Sequence, residues 1–212
     1  MRNIPVFSTQ NGVGSLILKE IPYSGIAYVR IQSTQVPDAF VAECLDFCKV
    51  AGAQHVYAAG HPDLQQYPLH TAVWKMSALR ESLPDTDAAL MPVTKETLED
   101  WRQIYNSRMA GVANASYMSI AESEEMLNRG DGYFIHRDKT LLGIGMASGA
   151  AIKVVISCKK GAGRDVVLAL NHALAGELAV MEVATANARA MRLYENLGFV
   201  KTAELSRWYR LF

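Results

Sequence analysis

The run Lys159-Lys160-Gly161-Ala162-Gly163-Arg164 has the composition of an anion-binding loop. Two glycines let the backbone approach a ligand closely, and a helix that begins here would direct its first amide N–H groups at an anion. The three cations add positive charge, so the run predicts a phosphate or pyrophosphate site. It is not a Walker A loop, and Val166 replaces the third glycine of a dinucleotide fingerprint. Taken alone, the run is better explained as a glycine turn with solvated lysines.

Asn187 and Tyr194 have the spacing of two groups that contact one extended ligand. In a helix that begins near Asn187 both lie on one stripe, while Ala190, Leu193 and Leu197 form the apolar side. Their levels on the helix axis are then about 10 Å apart. A core tyrosine with a satisfied hydroxyl is the alternative for Tyr194.

Glu182 is a carboxylate in an apolar strand, which suggests a general base. Its same-face neighbours Leu178 and Val180 are apolar. A carboxyl group buried among apolar side chains has a raised pKa, which suits proton transfer near neutral pH. A salt-bridged carboxylate and one at a solvated strand end are the alternatives.

The second half of the sequence supplies the elements that must position these groups. Hydrophobic periodicity predicts strands at residues 88–92, 132–137, 140–147 and 150–157, and a further strand that contains Leu178, Val180 and Glu182. It predicts a helix capped by Thr94, a second helix with a loop at 111–129, a third that begins in the glycine run and ends at Gly176, and a fourth that ends at Gly198-Phe199. This order predicts an α/β (α+β) fold.

The first half has the pattern of a smaller unit. A hairpin is predicted at residues 15–21 and 26–32, then a helix at 37–50 and strands at 54–58 and 71–77. The polar stretch 81–87 is a candidate linker, which gives domains at 1–83 and 88–212. Residues 40–58 and 166–184 both have the order helix, Ala-Gly, strand, so the first half is either a degenerate repeat of the second or a chance echo.

Composition limits the function classes. Formal net charge is zero, so the protein has no overall field to attract nucleic acid or an anionic membrane. Three cysteines fit neither a disulfide framework nor a zinc site, and the dispersed histidines suggest no metal. The N-terminal sequence has no signal-peptide core and no run is apolar enough to span a membrane. We expect a cytoplasmic protein with reduced thiols.

The C-terminal half resembles the GCN5-related N-acetyltransferase (GNAT) family. That family has a loop of the form Gln/Arg-x-x-Gly-x-Gly/Ala and, later, Asn-x-x-Ala-x-x-Leu-Tyr-x-x-x-Gly-Phe. The second pattern is complete here, and in the first Gly161 and Gly163 match, whereas Cys158 replaces Gln/Arg and no proline-containing bulge precedes it. The resemblance covers residues 88–212. It implies the acyl-CoA N-acyltransferase fold, with a mixed, mostly antiparallel sheet flanked by helices and preceded here by a smaller β-β-α-β-β half.

The resemblance also implies a cofactor and roles for individual residues. Acetyl-CoA would bind between two splayed strands, on the backbone of Val155, Ile156 and Ser157, with its phosphates on the loop. Asn187 would contact the pantetheine arm, and Tyr194 would stand beside the sulfur as the general acid. Glu182 would be the general base, since its twelve-residue spacing to Tyr194 is similar to that of the branch that acetylates protein N-termini.

The acceptor is predicted to be a primary amine of a small molecule or peptide, which attacks the thioester directly. By the family pattern its pocket would be built from residues 111–129 and 206–212, although the aromatic residues of the latter are better explained by packing. The first half would cap the acceptor groove or support a homodimer. Two other classes remain open: an acyl-CoA sensor of the same fold without catalysis, and an unrelated nucleotide-phosphate binder.

Overall fold

The computed structural model describes residues 5–212. The first four residues lie outside it, and they belong to the N-terminal segment in which no signal peptide is expected. The strands are β1 (Val6–Thr9), β2 (Gly12–Ile17), β3 (Ile26–Thr34), β4 (His55–Ala59), β5 (Leu69–Leu79), β6 (Ala89–Pro92), β7 (Gly132–Arg137), β8 (Thr140–Ser148), β9 (Ala151–Ser157), β10 (Leu178–Ala184) and β11 (Val200–Arg210). The helices are α1 (Ile21–Ser24), α2 (Pro37–Val50), α3 (Leu98–Met109), α4 (Ile120–Arg129), α5 (Gly163–His172) and α6 (Ala188–Asn196). In this part of the chain no helix is both long and apolar enough to cross a membrane.

The chain divides into two compact units that share the sequence unevenly. The first unit holds the chain up to Val73 together with Glu204–Phe212, and the second holds Trp74–Ala203. The divisions therefore fall inside β5 and β11 and not at the polar stretch 81–87. The reason is strand pairing, because the end of β11 pairs with β4 in the first unit, where Tyr209 lies opposite Ala58.

The first unit is a small sheet with one long helix. Its strand order is β1-β2-β3-β4-β11, and α2 buries Phe40, Val41, Cys44 and Cys48 against it. Burial raises the pKa of Cys44 to about 12 and that of Cys48 to about 11. Both groups therefore remain protonated thiols near neutral pH and react slowly.

The second unit is a mixed sheet covered by helices on both faces. Its strand order is β5-β10-β9-β8-β7-β6. On one face α3 and α4 bury Trp101, Tyr105 and Met126 against β7, β8 and β9. On the other face α5 and α6 pack in a core that includes residues of β10. The predicted α/β fold with a mostly antiparallel sheet is confirmed.

The two units share a topology. In each, an antiparallel hairpin (β2–β3 or β8–β9) is followed by a helix and then by a strand parallel to the second hairpin strand. They differ in how far that parallel pair extends. β3 and β4 pair over five residues, from Ile26 with His55 to Arg30 with Ala59, whereas β9 and β10 pair over two. The internal repeat stays a prediction. The order of elements that the two units have in common is the order that such a repeat would produce.

One predicted helix begins later than its sequence suggested. The N-cap of α3 is Thr97 and not Thr94. The Thr94 N–H donates to the Thr97 hydroxyl at 3.0 Å, so residues 94–97 form a turn before the helix. The remaining predicted helices and strands of the second half are present, with ends that differ by a few residues.

Two glycines let α5 lie directly on β8. A Cβ atom at Gly143 would lie 2.6 Å from Val166 Cγ2 and would also collide with the carbonyl oxygen of Ile156. A Cβ at Gly145 would collide with Leu170, one helical turn after Val166. Because α5 begins within the glycine run, at Gly163, this close packing sets the position of the candidate anion loop.

Replacing Gly143 by alanine is expected to lower the free energy of unfolding by about 3 kcal/mol, because backbone and helix must move to admit the methyl group. Gly149 is the control. It has φ of +57° and open space around it, so Gly149→Ala should cost about 1 kcal/mol, from the left-handed conformation alone. Urea unfolding measures both, and equal losses would contradict the packing argument.

Candidate functional site

β9 and β10 begin as paired parallel strands and then separate. Ala151 pairs with Val180 and Ile152 with Met181, but β9 continues to residue 157 and β10 to residue 184. Over the residues that the structure describes, these two ends do not pair with each other. We call the gap between residues 153–157 and 182–184 the slot. A strand edge without a neighbour offers its N–H and C=O groups to an extended ligand.

A β-bulge in β9 lies at the point where the strands separate. Met146 of β8 lies opposite Val154, and Ala147 lies opposite Ile152. Lys153 between them is therefore the extra residue. Because a bulge bends its strand, it accounts for the turn of β9 away from β10.

The bulge decides which backbone groups of β9 face the slot. The carbonyl oxygens of Val154 and Ile156 point to β8, where a Cβ at Gly145 would lie 2.9 Å from the Val154 oxygen. Alternate residues of an antiparallel strand bond to the same neighbour, so Val155 and Ser157 direct their N–H and C=O groups into the slot. Of the three residues predicted to bind through their backbone, Val155 and Ser157 have the right orientation, and Ile156 faces the sheet.

The loop between β9 and α5 has the free amides that anion binding requires. Gly161 adopts φ of +87°, and no acceptor for the N–H groups of Gly161, Gly163 or Arg164 is found among residues 5–212. Ala162 differs, because its N–H donates to the Lys159 carbonyl at 3.2 Å and its side chain is buried. Ala162 thus holds the loop in shape, while the other three amides remain available at the start of a helix.

The charges around the loop favour an anion. Lys159, Lys160 and Arg164 are exposed, and none has an acidic partner in the described part of the chain. The one acid in the first turn of α5, Asp165, is paired with Arg137 at 2.8 Å. Its negative charge is thereby offset, and the helix start keeps a positive potential.

Arg108 is a fourth cation at the loop, and no sequence pattern pointed to it. It lies near the end of α3, and its Nη2 atom donates to the carbonyl oxygen of Cys158 at 3.3 Å. Cys158 occupies the position where the family pattern has Gln or Arg. A guanidinium from another element therefore reaches the place where the loop itself lacks a long donor.

The Cys158 thiol is a poor nucleophile in this setting. Burial raises its pKa, and the charge of Arg108 opposes that shift only in part. A higher pKa means less thiolate at neutral pH. The structure thus gives Cys158 no chemical activation.

The loop and α6 lie side by side, as the ligand hypothesis requires. A Cβ at Gly163 would lie 3.0 Å from Leu193 Cδ2 and 3.2 Å from the Ser157 hydroxyl. The start of α5, the end of β9 and α6 therefore meet in one region of the second unit.

Asn187 is the N-cap of α6. Its Oδ1 atom accepts a hydrogen bond from the Ala190 N–H at 3.1 Å. This commits the side-chain oxygen to the helix and leaves the Nδ2 amide to donate to a ligand. The predicted ligand contact can therefore be made by one half of the side chain.

Tyr194 has a buried ring and an accessible hydroxyl. The residue is 8% exposed, and its ring centroid lies 6.2 Å from that of Phe199. Burial raises its pKa to about 12. The hydroxyl makes no hydrogen bond within residues 5–212, yet its oxygen is not one of the enclosed polar atoms without a partner. The ring packs in the core, but the hydroxyl is not satisfied among the described residues, so the alternative of a core tyrosine with a satisfied hydroxyl does not fit and the hydroxyl is left to donate to a ligand.

Glu182 is exposed, so the burial on which its role as a base rested is absent. Ala179, Met181 and Val183 face the core of α5 and α6, which turns Glu182 to the opposite face of β10. On that face α3 and α4 cover β7, β8 and β9 and leave β10 open. The apolar neighbours in sequence therefore did not imply an apolar environment.

The regions predicted to hold the acceptor differ in their placement. Trp208 packs edge-on against Tyr28 with ring centroids 5.3 Å apart, and Tyr209 is in the core of the first unit. These aromatic residues are therefore packing residues. The second unit has a cleft of about 570 Å³ with walls from β6, α3, β7 and the start of β8; it is lined by Met91, Pro92, Thr94, Thr97, Asp100, Gln103, Ile104, Phe134, His136 and Leu141. In the described chain no cluster of three or more His, Cys, Asp or Glu side chains could hold a metal ion.

The sequence matches no protein-family model and no curated protein. The fold, in contrast, is that of known proteins. A GCN5-related N-acetyltransferase from Sphaerobacter thermophilus is similar with a TM-score of 0.60 at 9% identity, over 93% of this chain and 75% of that one. A GNAT-family acetyltransferase from Colwellia psychrerythraea gives 0.53 at 10% identity, over 96% and 84%. A tandem GNAT protein from the clavulanic acid biosynthesis pathway gives 0.54 at 13%, over 94% and 78%. The chain thus has the GNAT fold.

The contact between Arg108 and the loop can be tested through the Cys158 thiol. Arg108→Gln is expected to slow alkylation of Cys158 by iodoacetamide about threefold at pH 8 and low salt, because loss of the positive charge raises the thiol pKa further. Cys44 and Cys48 are buried and do not compete. Peptide mass spectrometry gives the rate.

Arg102→Gln is the matched control, since Arg102 lies on the same helix but pairs with Glu99 at 2.8 Å. It should leave the rate unchanged. A wild-type rate in Arg108→Gln would show that the guanidinium does not act on the loop.

Proposed function

We propose that this protein is an acetyl-CoA-dependent N-acetyltransferase that moves an acetyl group to a primary amine of a small molecule or peptide by direct attack. The observation that carries the proposal is the separation of β9 from β10 beside a cationic loop with free amides, in a chain that has the GNAT fold. An extended ligand with a polyanionic end suits both features.

The residues present fit the coenzyme. Its phosphates would be held by the amides of Gly161, Gly163 and Arg164, with charge from Lys159, Lys160 and Arg108. The Nδ2 amide of Asn187 and the slot-facing backbone of β9 would hold the pantetheine arm. Acetyl-CoA supplies an activated acetyl thioester when bound.

The chain would contribute position and polarisation to the reaction. The N–H groups of Val155 and Ser157 face the slot and would donate to the carbonyl oxygen on which negative charge develops. Tyr194 would donate a hydrogen bond to the departing sulfur. With its pKa raised to about 12 the phenol stays protonated, and because an ordinary thiol has a pKa of about 8.5, hydrogen-bond donation fits it better than complete proton transfer.

The substrate ammonium must lose a proton before it attacks. Glu182 lies on β10 at the mouth of the slot and would accept that proton directly or through water, as an exposed carboxylate. No covalent enzyme intermediate is needed, since the thiol of Cys158 is held protonated. A metal has no role in this scheme.

A second candidate function is a sensor that binds an acyl-CoA without catalysis. Its support is the exposure of Glu182, which leaves the slot without an enclosed base, and the Cys158 substitution in the loop. Release of free thiol in the presence of an amine panel separates the two, because a sensor releases none. Competition by ATP but not by CoA would favour an unrelated nucleotide-phosphate binder.

Isothermal titration with acetyl-CoA is expected to give a micromolar dissociation constant that Gly163→Glu weakens at least 100-fold. The Cβ of a glutamate at this position would be in tight contact with Leu193 and Ser157, and its carboxylate would repel phosphate. The control is Gly176→Glu, which adds the same charge beyond the other end of α5, where a Cβ meets no atom within 4 Å. Equal binding by Gly163→Glu and the control would show that the loop is not the site.

For Tyr194→Phe, binding of acetyl-CoA is expected to stay within about threefold of wild type while kcat falls about 100-fold, the usual effect of removing one hydrogen-bond donor to a developing negative charge. Thiol release measured with a disulfide dye follows the turnover. A variant with undiminished kcat would remove Tyr194 from the chemistry.

A further inference from the structure

We propose that the ion pair between Lys153 and Asp131 is a clamp that holds the bulge of β9 and thereby keeps the slot ready for its ligand. The identity of the ligand rests on the proposed function. The effect of the ion pair on the conformation of β9 does not rest on the proposed function, since it is a property of the free protein.

Lys153 is the residue whose side chain can fix the bulge. It is the extra residue of β9, with no partner on β8. Its Nζ atom lies 3.1 Å from Asp131 Oδ2, and the two side chains are 42% and 6% exposed. A pair with one partner this buried is held more firmly than a fully exposed pair.

Asp131 is itself fixed at the register shift. Its N–H donates to the Met126 carbonyl at the end of α4, and its own carbonyl accepts from Ala147 N–H at 3.0 Å. Ala147 is one of the two β8 residues that flank the shift. The carboxylate therefore stands directly beside the bulge, on a junction bonded to both α4 and β8.

The carboxylate is also held in its charged form. Burial by itself would raise the pKa of Asp131, but hydrogen bonds from Arg129, Lys153 and Ser148 outweigh it, and the pKa is lowered. The pair is therefore complete at neutral pH.

Packing of the β9 side chains in the two cores requires a bulge in the strand, but it does not hold the extra residue, Lys153, in place. Ile152 and Val155 pack on the α5 face, and Val154 and Ile156 pack on the α3 face, a pattern that an unbroken strand cannot give. Lys153 contributes nothing to either core. Among the described residues, its side chain is held by the hydrogen bond to Asp131.

The first unit shows why the position of a bulge matters. There the register of β2 and β3 shifts at Gln32, whose side chain donates to Ser15 Oγ at 2.8 Å. That shift lies beyond Arg30, the last β3 residue paired with β4. β3 and β4 therefore stay paired along the whole of β4. In β9 the bulge comes directly after the last paired residue, so fixing it fixes the opening of the slot.

The test combines amide exchange of the free protein with acetyl-CoA titration. Lys153→Met removes the positive charge and keeps the length of the side chain, whereas Lys153→Arg retains the charge. Asp131→Asn removes the negative charge of the other partner. Arg129→Gln is the control, because it removes the 2.9 Å contact to the same carboxylate from α4 and leaves β9 untouched.

In Lys153→Met and Asp131→Asn we expect the amides of Val154 and Ile156, which face β8, to exchange at least tenfold faster and the dissociation constant of acetyl-CoA to rise about tenfold. Lys153→Arg should stay within twofold of wild type in both readouts. Arg129→Gln should lower the melting temperature as much as Lys153→Met does, with exchange at Val154 and Ile156 and the affinity for acetyl-CoA unchanged.

Unchanged exchange at Val154 and Ile156 in Lys153→Met, or an equal increase in Arg129→Gln, would overturn the clamp. If wild-type protein does not bind acetyl-CoA, the proposed function fails, and the exchange data still decide the clamp. If Lys153→Met does not fold, Asp131→Asn and Lys153→Arg carry the comparison.

Discussion

The candidate site depends on one constraint, which is that backbone N–H and C=O groups need partners. Along most of the second unit neighbouring strands satisfy it. At Lys153 the extra residue turns β9 away from β10, and Val155 and Ser157 are left with polar groups that face the slot. An unpaired strand edge of this kind costs free energy unless a ligand or water forms hydrogen bonds with its N–H and C=O groups. In the first unit the corresponding pair stays closed, so the common topology does not by itself create a slot.

Electrostatics agrees with this geometry. The whole chain is neutral, yet the loop before α5 collects cations without acidic partners. Asp165, which would oppose an anion at the start of α5, is paired with Arg137. Arg108 adds a guanidinium from α3. A local positive field in a neutral protein favours a small polyanionic ligand over a nucleic-acid backbone, which needs a broad basic surface.

Several parts of this arrangement could be read from sequence because they depend on neighbours in the chain. The helix at residues 37–50, the glycine run at the start of α5, the start of α6 near Asn187 and its end at Gly198-Phe199 follow from local periodicity and capping rules. Glu182 shows the limit of that approach. Its neighbours are apolar, but whether a strand face is covered depends on which helices pack there, and α3 and α4 stop short of β10.

The sequence by itself determined the order of the helices and strands apart from β1 and α1, the glycine run with its cations, and the spacing of Asn187 and Tyr194 on one stripe, because short-range chain geometry dictates each of them. Only the tertiary structure decided where β9 leaves β10, that Arg108 reaches Cys158, and that Lys153 meets Asp131. These features join residues distant in sequence, at separations set by the packing of the whole second unit. Exposure has the same origin, because a side chain is buried only by what the rest of the fold places over it.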